Sequence, residues 1–393
     1  MPEFLFWFSL IFIVYTYAGY PVLLFVWSRL FPRPVRKAYL KPEPMVSVVI
    51  AARNEEKNIR PRIENLVQQE YPANKLEIIV VSDGSDDGTV PIVRSLIEEL
   101  QRNPGLPSLK LIEVDDNKGK PYALNLGVGA AKGDYIVFAD ARQTYDGSAV
   151  SALVSNFSDS TVGSVSGELF LIDGARDGAT VEMGVYWTYE KWIRKAESRI
   201  GSVVGATGAI YAIRRNLYQP LPEETLLDDV LTPLNIIMQG HRVVYEGRAK
   251  AYDHVSGNVQ QEWRRKVRTL AGNWQLLKLC PLLSSVRGNP IWWRFMSHKI
   301  LRLVVPFCLF IAFGSSILIS GPIYRIATAF QITFYAAALA TWLAPPFRSF
   351  KVLNVCYFFC VLNAAALAAF FKFTTGSTRR IWKSGENRFT TYE

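Results

Sequence analysis

Residues Phe4 to Trp27 are almost wholly apolar, a run long enough to cross a bilayer at the rise of an α-helix. No other feature restricts the fold as much, because a segment in lipid must satisfy its own backbone hydrogen bonds. The run is too long, and lacks the basic start, for a plain signal peptide. Arg29, Arg33, Arg36, Lys37 and Lys41 follow in a Pro-punctuated linker. The positive-inside rule puts that linker on the cytoplasmic side and the N-terminus outside. Three more apolar runs lie near the other end, about Leu303–Ser320, Ile326–Leu343 and Val352–Phe373, punctuated by Gly321-Pro322 and Pro345-Pro346. Arg348 and Lys351 mark a cytoplasmic loop between the last two. Three crossings would leave the C-terminus outside, yet the tail carries Lys372, Arg379, Arg380 and Lys383. The two signals conflict, and Ile326–Leu343, which contains Gln331, is the weakest span.

Between the apolar ends the pattern changes to short β-rich runs alternating with helical ones, the signature of a parallel sheet. Strands are expected at Val46–Ala51, Leu76–Val81, Leu109–Val114 and Tyr135–Ala139, then at Val162–Leu171, Ala209–Ile213 and Val243–Tyr245. Helices are expected from Glu55 to about Gln69, after the polar turn 82–89 through Leu100, and at Lys120–Ala131. Gln261 to about Leu279 reads as an amphipathic helix, with Trp263, Val267, Leu270, Trp274 and Leu277 near one face and Arg264, Arg265, Lys266 and Arg268 on the others. Ile291–Ile300, with Trp292, Trp293, Phe295 and Met296, repeats the style. Basic helices with aromatic stripes suit the membrane interface. The expected division is therefore an N-terminal span and basic linker over 1–43, an α/β domain over 44–258, interface helices over 259–300, C-terminal spans over 301–373 and a basic tail over 374–393.

The net charge of +10 suits an anionic partner such as a phospholipid surface or a nucleotide sugar. It is not read as nucleic-acid binding, because no zinc, RNP-type or helix-turn-helix signature accompanies it. Cys280, Cys308, Cys356 and Cys360 lie in the last third without metal-ligand spacing and read as small apolar side chains.

Four polar constellations fall at or just after strand ends: Ala51-Ala52-Arg53-Asn54-Glu55, Asp83-Gly84-Ser85-Asp86-Asp87-Gly88, Asn117-Lys118-Gly119-Lys120 and Asp140-Ala141-Arg142. Ligands of open α/β sheets bind at the carboxyl ends of the strands, so the four converge on one crevice. Neither G-x-G-x-x-G nor G-x-x-x-x-G-K-[ST] is present, which removes the dinucleotide and P-loop readings. Asp83 or Glu55 can accept hydrogen bonds from a base or ribose, and Lys120 can meet phosphate as a point charge. Asp140 has two readings: a turn residue satisfying loop amides, or a carboxylate that holds a divalent metal against a diphosphate.

Asn54-Glu55, Asp83-Gly84-Ser85-Asp86-Asp87 and Lys118-Gly119-Lys120-Pro121-Tyr122-Ala123-Leu124-Asn125 resemble the nucleotide-binding half of the family 2 inverting glycosyltransferases of the GT-A fold. Chitin, cellulose, hyaluronan and poly-N-acetylglucosamine synthases are members, and the resemblance covers roughly Pro44 to Trp274. It implies that Asn54, Glu55, Asp83, Lys118, Lys120 and Arg142 bind the donor nucleotide or diphosphate, and that Asp140 holds Mg2+ or Mn2+. Val204-Gly205-Ala206-Thr207-Gly208-Ala209 resembles the acceptor loop, which gives Gly205, Thr207 and Gly208 a place along the active site. Leu227-Asp228-Asp229-Val230 resembles the T-E-D motif, making Asp229 the base and Asp228 its neighbour; on their own the two carboxylates also fit charges at a helix N-terminus. Gln261-Glu262-Trp263-Arg264-Arg265 resembles Q-x-x-R-W, assigning Gln261, Arg264 and Arg265 to the diphosphate and Trp263 to the acceptor path.

Two departures stand out. Arg142 occupies the second carboxylate position of D-x-D, leaving His254 as a candidate metal partner, and Arg265 replaces the Trp associated with polymerising members. The expectation is an integral protein of the inner or plasma membrane with a cytoplasmic catalytic domain. It would transfer a sugar, with inversion, from a UDP-sugar to a growing polysaccharide, and oligomers are compatible with it. The alternatives are single transfer to a lipid-linked acceptor and a sugar-nucleotide-binding protein without catalysis.

Overall fold

The computed structural model describes residues 1–172, 179–254 and 259–376, with the side chains of 179–187, 254, 259, 261, 345 and 349 left aside. The chain divides into two compact units. One comprises Phe31–Ile172 and Glu197–Val255; the other comprises Met1–Leu30, Asp173–Ala196 and Ser256–Glu393.

The first unit is built on an eight-stranded sheet. Its strands are β1 (Val46–Ala52), β2 (Leu76–Asp83), β3 (Ser108–Val114), β4 (Tyr135–Ala139), β5 (Thr144–Tyr145), β6 (Val162–Ile172), β7 (Ile210–Arg214) and β8 (Arg242–His254). Their order is β3-β2-β1-β4-β7-β6-β8-β5. β3, β2, β1 and β4 are mutually parallel, so their carboxyl ends share one edge. β7 then runs antiparallel to β4, with Phe138 opposite Tyr211 and the two rings stacked at 4.6 Å. Every residue of β2 is buried, as expected for a parallel strand covered on both faces. Ile59, Ile63 and Leu66 cover one face from the helix Ile59–Val67. The helix Lys120–Ala130 approaches so closely that a Cβ at Gly127 would lie 2.4 Å from Val49 Cγ1.

Several elements differ from the sequence reading. The helix expected from Glu55 begins at Ile59, because residues 55–58 turn and the Glu55 amide donates to Thr89 Oγ1 at 2.8 Å. The strand expected over Val243–Tyr245 extends to His254, since β6 offers a parallel partner along most of its length. A helix at Ala179–Ile200 and the short strand β5 were not expected.

The basic linker belongs to this unit and is fastened along it. Arg33 N donates to Arg199 O at 2.6 Å, Ala38 N to Ser158 Oγ at 2.8 Å, and Arg242 Nη2 to Arg33 O at 2.7 Å. Lys37 Nζ lies 2.7 Å from the buried Glu246 carboxylate, which also accepts from Asn156 at 2.9 Å and from Arg248. Burial pushes the Glu246 carboxyl up, but these hydrogen bonds and the Lys37 charge outweigh it and bring it down to about 2.

The second unit contains four helices long and apolar enough to cross a membrane: Pro2–Leu30, Trp292–Leu318, Pro322–Leu343 and Lys351–Thr374. Large apolar side chains such as Phe4, Phe310, Ile326, Phe330 and Val352 stand exposed on them. Residues 292–300, read from sequence as a separate interface helix, instead continue without a break into the helix that ends at Leu318. Phe295, Ser297, His298 and Ile300 are buried there. The helix Val259–Leu279 buries Val267 and Ala271 against Ala365 and Ala369 of Lys351–Thr374, while Trp263, Arg264 and Arg265 remain exposed.

Candidate active site

The four polar constellations do meet at the carboxyl edge of β1–β4, and the loops hold one another. After β1, Asn54 adopts φ 55°, a left-handed conformation that asparagine tolerates better than most side chains. Its side chain pairs reciprocally with Asp86, donating to Oδ1 at 2.7 Å and accepting the Asp86 amide at 3.0 Å. After β2, the buried Asp83 accepts the Lys118 amide at 2.8 Å and the Gly119 amide at 2.7 Å, one on each oxygen. Asp83 is thus first of all a clamp on the turn that leads into Lys120. Gly119 in that turn has φ 101°, where a Cβ would be strained. Asn125, five residues after Lys120 on the helix, is occupied by Tyr218 and the Leu221 backbone.

Lys120 is the hub. Its Nζ lies 2.9 Å from Asp140 Oδ1 at the end of β4 and 3.4 Å from Asp228 Oδ2. Burial works against its charge, but the carboxylates of Asp140, Asp228 and Asp229 outweigh it and hold the ammonium well above the usual lysine range. Asp228 and Asp229 open the helix Asp228–Met238, whose cap residue is Leu227. The buried Asp228 side chain faces Lys120, and its Oδ2 takes no hydrogen bond among the described residues. Of the two readings of this pair, a helix-terminus charge alone therefore leaves the Lys120 contact unexplained. Asp229 is half-buried and its carbonyl accepts the Ala206 amide at 2.8 Å. A Cβ at Gly208 would lie 3.0 Å from Asp229 Oδ2, and one at Gly205 would lie 3.1 Å from Val230. The small-residue loop thus lets its backbone come right up to the carboxylate. Thr207 clips the loop to β6, its amide donating to Ser166 Oγ (2.9 Å) and its hydroxyl donating to Gly167 O (3.0 Å).

Glu55 sits behind this group. Burial lifts its carboxyl above the usual range; the Asn58 hydrogen bond and the Arg142 charge oppose the shift, and Asp140 and Asp87 add to it. Arg142 donates to Asp253 Oδ2 at 2.7 Å, and Gln143 reaches the same oxygen at 3.0 Å. The arginine at the second position of the D-x-D site is held by a buried carboxylate from β8 that sequence reading had not singled out. Lys118 Nζ lies 4.8 Å over the Tyr122 ring.

The remaining candidates lie in the second unit, on the helix Val259–Leu279. Trp263 and Arg264 are exposed, and Arg265 pairs with Glu262 at 3.0 Å. The side chains of Gln261 and His254 lie outside the described residues.

A divalent cation bound through one or two carboxylates plus substrate phosphates needs no all-protein cage. Asp140 meets that requirement: its side chain is 36% exposed at the strand end, and only its Oδ1 is engaged by Lys120. Among the described residues there is no cluster of three or more acidic, His or Cys side chains suited to a metal. The residues thus fit a cation shared with a bound diphosphate.

A family model described as Glycosyl transferase family 2 matches residues 47–221. A probable glycosyltransferase of Bacillus subtilis, YdaM, is 28% identical over 248 residues, 61% of this chain and 58% of the relative. The poly-beta-1,6-N-acetyl-D-glucosamine synthase of Staphylococcus aureus is 22% identical over 236 residues, 59% of this chain and 55% of its own length. The chain therefore spans little more than half the length of these curated relatives. Among solved structures, the mannosyltransferase PcManGT from Pyrobaculum calidifontis, in complex with GDP-Man and Mn2+, aligns with a TM-score of 0.68 at 23% identity. The alignment covers 94% of this chain and 99% of that one. That likeness shows a shared GT-A fold.

Proposed function

We propose that the protein, whose residues 47–221 match the Glycosyl transferase family 2 model, is a membrane glycosyltransferase that moves a sugar, with inversion, from a UDP-sugar to a growing polysaccharide. The observation that carries this reading is Lys120 held between Asp140 and Asp228, with Asp229 against the backbone of Gly208. The arrangement puts a cation for the diphosphate beside a carboxylate that can serve as base.

In this reading Asp229 takes the proton of the acceptor hydroxyl as that oxygen attacks the anomeric carbon from the face opposite the nucleotide. The acceptor sugar lies along Gly205, Thr207 and Gly208, where the two glycines allow close approach to the backbone. Lys120 stabilises the charge that develops on the departing diphosphate. Mg2+ or Mn2+ at Asp140 would neutralise the same group. Asp83 and Asn54 hold the loops that face the nucleotide, and Arg142, fixed by Asp253, presents a guanidinium as the second positive charge after Lys120. Gln261, Arg264 and Trp263 are assigned to diphosphate and acceptor by the motif they resemble. The four apolar helices support membrane attachment, and the Arg- and Lys-rich linker that follows the first of them supports a catalytic domain on the cytoplasmic side.

One observation favours single transfer to a lipid-linked acceptor. Arg265, at the position of the motif's Trp, is engaged by Glu262 at 3.0 Å and offers no aromatic platform for a polymer. The test is release of nucleoside diphosphate from a panel of UDP- and GDP-sugars by the purified protein in membranes, with and without Mn2+, followed by sizing of the product. Turnover of no donor would overturn the transferase reading. A product one sugar longer than its acceptor would replace the polymer with the single-transfer reading.

A further inference from the structure

Arg62 lies on the buried face of the helix Ile59–Val67, among Ile59, Ile63 and Leu66, and is only 2% exposed. Its guanidinium stacks 3.8 Å from the centre of the Tyr145 ring, itself 3% exposed. Nη1 donates to Asn65 Oδ1 at 3.0 Å, while Nε and Nη2 are buried with no hydrogen-bond partner among the described residues. Leaving a buried donor without an acceptor costs its desolvation in full. A charge kept in such a place calls for an explanation that core packing does not give, because an apolar side chain would fill the same stripe more cheaply.

The contacts of Tyr145 supply one. Asn65 grips both backbone groups of Tyr145, accepting its amide at 2.8 Å and donating to its carbonyl at 2.9 Å. The opposite edge of this residue pairs with Ala251 of β8. The Tyr145 hydroxyl lies 3.2 Å from Phe138 O and 2.9 Å from Ala209 O. Phe138 is two residues before Asp140, and Ala209 is the next residue after Gly208. One hydroxyl therefore bridges the strand end that carries Asp140 and the loop that lies against Asp229. The guanidinium over the ring holds the ring, and with it the position of that hydroxyl, because a desolvated cation is attracted to an aromatic face.

We propose that Arg62, Asn65 and Tyr145 are positioning residues that set the spacing between the donor side of the site, at Asp140, and the base side, at Gly208 and Asp229. The inference rests on the glycosyl-transfer reading. None of the three touches substrate in it; they act through the carbonyls of Phe138 and Ala209.

The test uses the full chain in nanodiscs, comparing Tyr145→Phe, Arg62→Met and Arg62→Lys with wild type. The readouts are kcat, donor KM, thermal midpoint and UDP binding by calorimetry, or GDP binding if only guanosine donors turn over. Tyr145→Phe keeps ring and packing but removes the bridge. It should lower kcat roughly 10- to 100-fold, because small misplacements of reacting groups cost about that much, while donor KM and the stoichiometry and affinity of nucleotide binding stay unchanged. Arg62→Met should give the same split, with Arg62→Lys recovering most of the loss. Wild-type kcat in Tyr145→Phe overturns the inference and leaves the transferase reading intact, even if Arg62→Met fails to fold. A loss of kcat matched by lost nucleotide stoichiometry also overturns it, since the triad would then serve only folding. A wild-type protein inactive on every donor overturns both.

Discussion

Each unit of the molecule buries a cluster of charges, and the two clusters are finished differently. In the apolar unit, Glu190 of the helix Ala179–Ile200 meets His298 at 2.9 Å through one oxygen and Arg302 through the other. Nearby, Tyr15 binds Ser297 at 2.9 Å and accepts the Trp293 indole N–H at 2.8 Å. Both carboxylate oxygens are taken, which is how a charge survives among apolar helices. In the sheet unit, Lys120 faces two carboxylates, Asp228 Oδ2 lacks a hydrogen bond, and Asp140 is 36% exposed. In the first cluster the carboxylate is closed, and its two partners hold helices together. The second has spare bonding capacity at the place where strands end, which is what a site for a charged ligand requires.

The largest effect should come from the open cluster. Asp229→Asn removes the proposed base and should reduce kcat by about 10²–10⁴-fold while nucleotide binding persists; turnover and calorimetry on one preparation check both halves. Wild-type turnover would break the contrast, because the cluster would then hold charge without using it. In the closed cluster, Glu190→Ala leaves a buried Arg and His without their carboxylate and should cost about 3–5 kcal/mol of stability. That outcome is read as a lower thermal midpoint, with kcat per folded molecule unchanged. If kcat fell while the midpoint held, the closed cluster would belong to the chemistry as well.

Gly208→Ala is a finer probe. Its Cβ would sit 3.0 Å from Asp229 Oδ2, so the carboxylate must shift by a few tenths of an ångström. A fall in kcat of several-fold, smaller than that of Asp229→Asn, is expected with nucleotide affinity intact. The smallest effect concerns Glu246, a closed carboxylate within the sheet unit. Its folded value is depressed to about 2, so its contribution is complete above the ordinary glutamate range and is lost as pH falls toward 2. Thermal midpoints of wild type and Glu246→Gln should differ most near neutrality and converge in acid; a constant gap would remove the assignment.

The parallel half of the sheet was legible because its strands are Val- and Ile-rich runs stopped by Asp, Gly and Asn, so composition and boundary coincide at Asp83 and Asp140. The polar loops at those boundaries, which carry the candidate site residues, were legible for the same reason. β8 was not, because Glu246-Gly247-Arg248 looks like a turn until Lys37 and Asn156 neutralise it from distant parts of the chain. The two units also confuse their own signals. The aromatic and basic pattern of 292–300 suggested an interface, whereas burial of His298 beside Glu190 makes it the first turns of a long helix. Asp253 was missed because only the fold brings it to Arg142. Arg62 did leave a trace: positions 59, 62, 63 and 66 form an i, i+3, i+4, i+7 stripe with a charge in it.

The order of the sheet also has a consequence in time. β4 pairs with β1 on one side, but its other neighbour is β7, which starts roughly seventy residues further along the chain. At a synthesis rate of about 5–20 residues per second, β4 waits on the order of 4–14 s with one edge unpaired. An apolar edge left open that long is a template for wrong partners. The stretch from Val46 to Ala139, which carries Asp83, Lys120 and Asp140, can therefore settle while the segment bearing Gly208 and Asp229 is still being made. In the newborn protein the Lys120 side of the crevice is older than the side that holds Asp229.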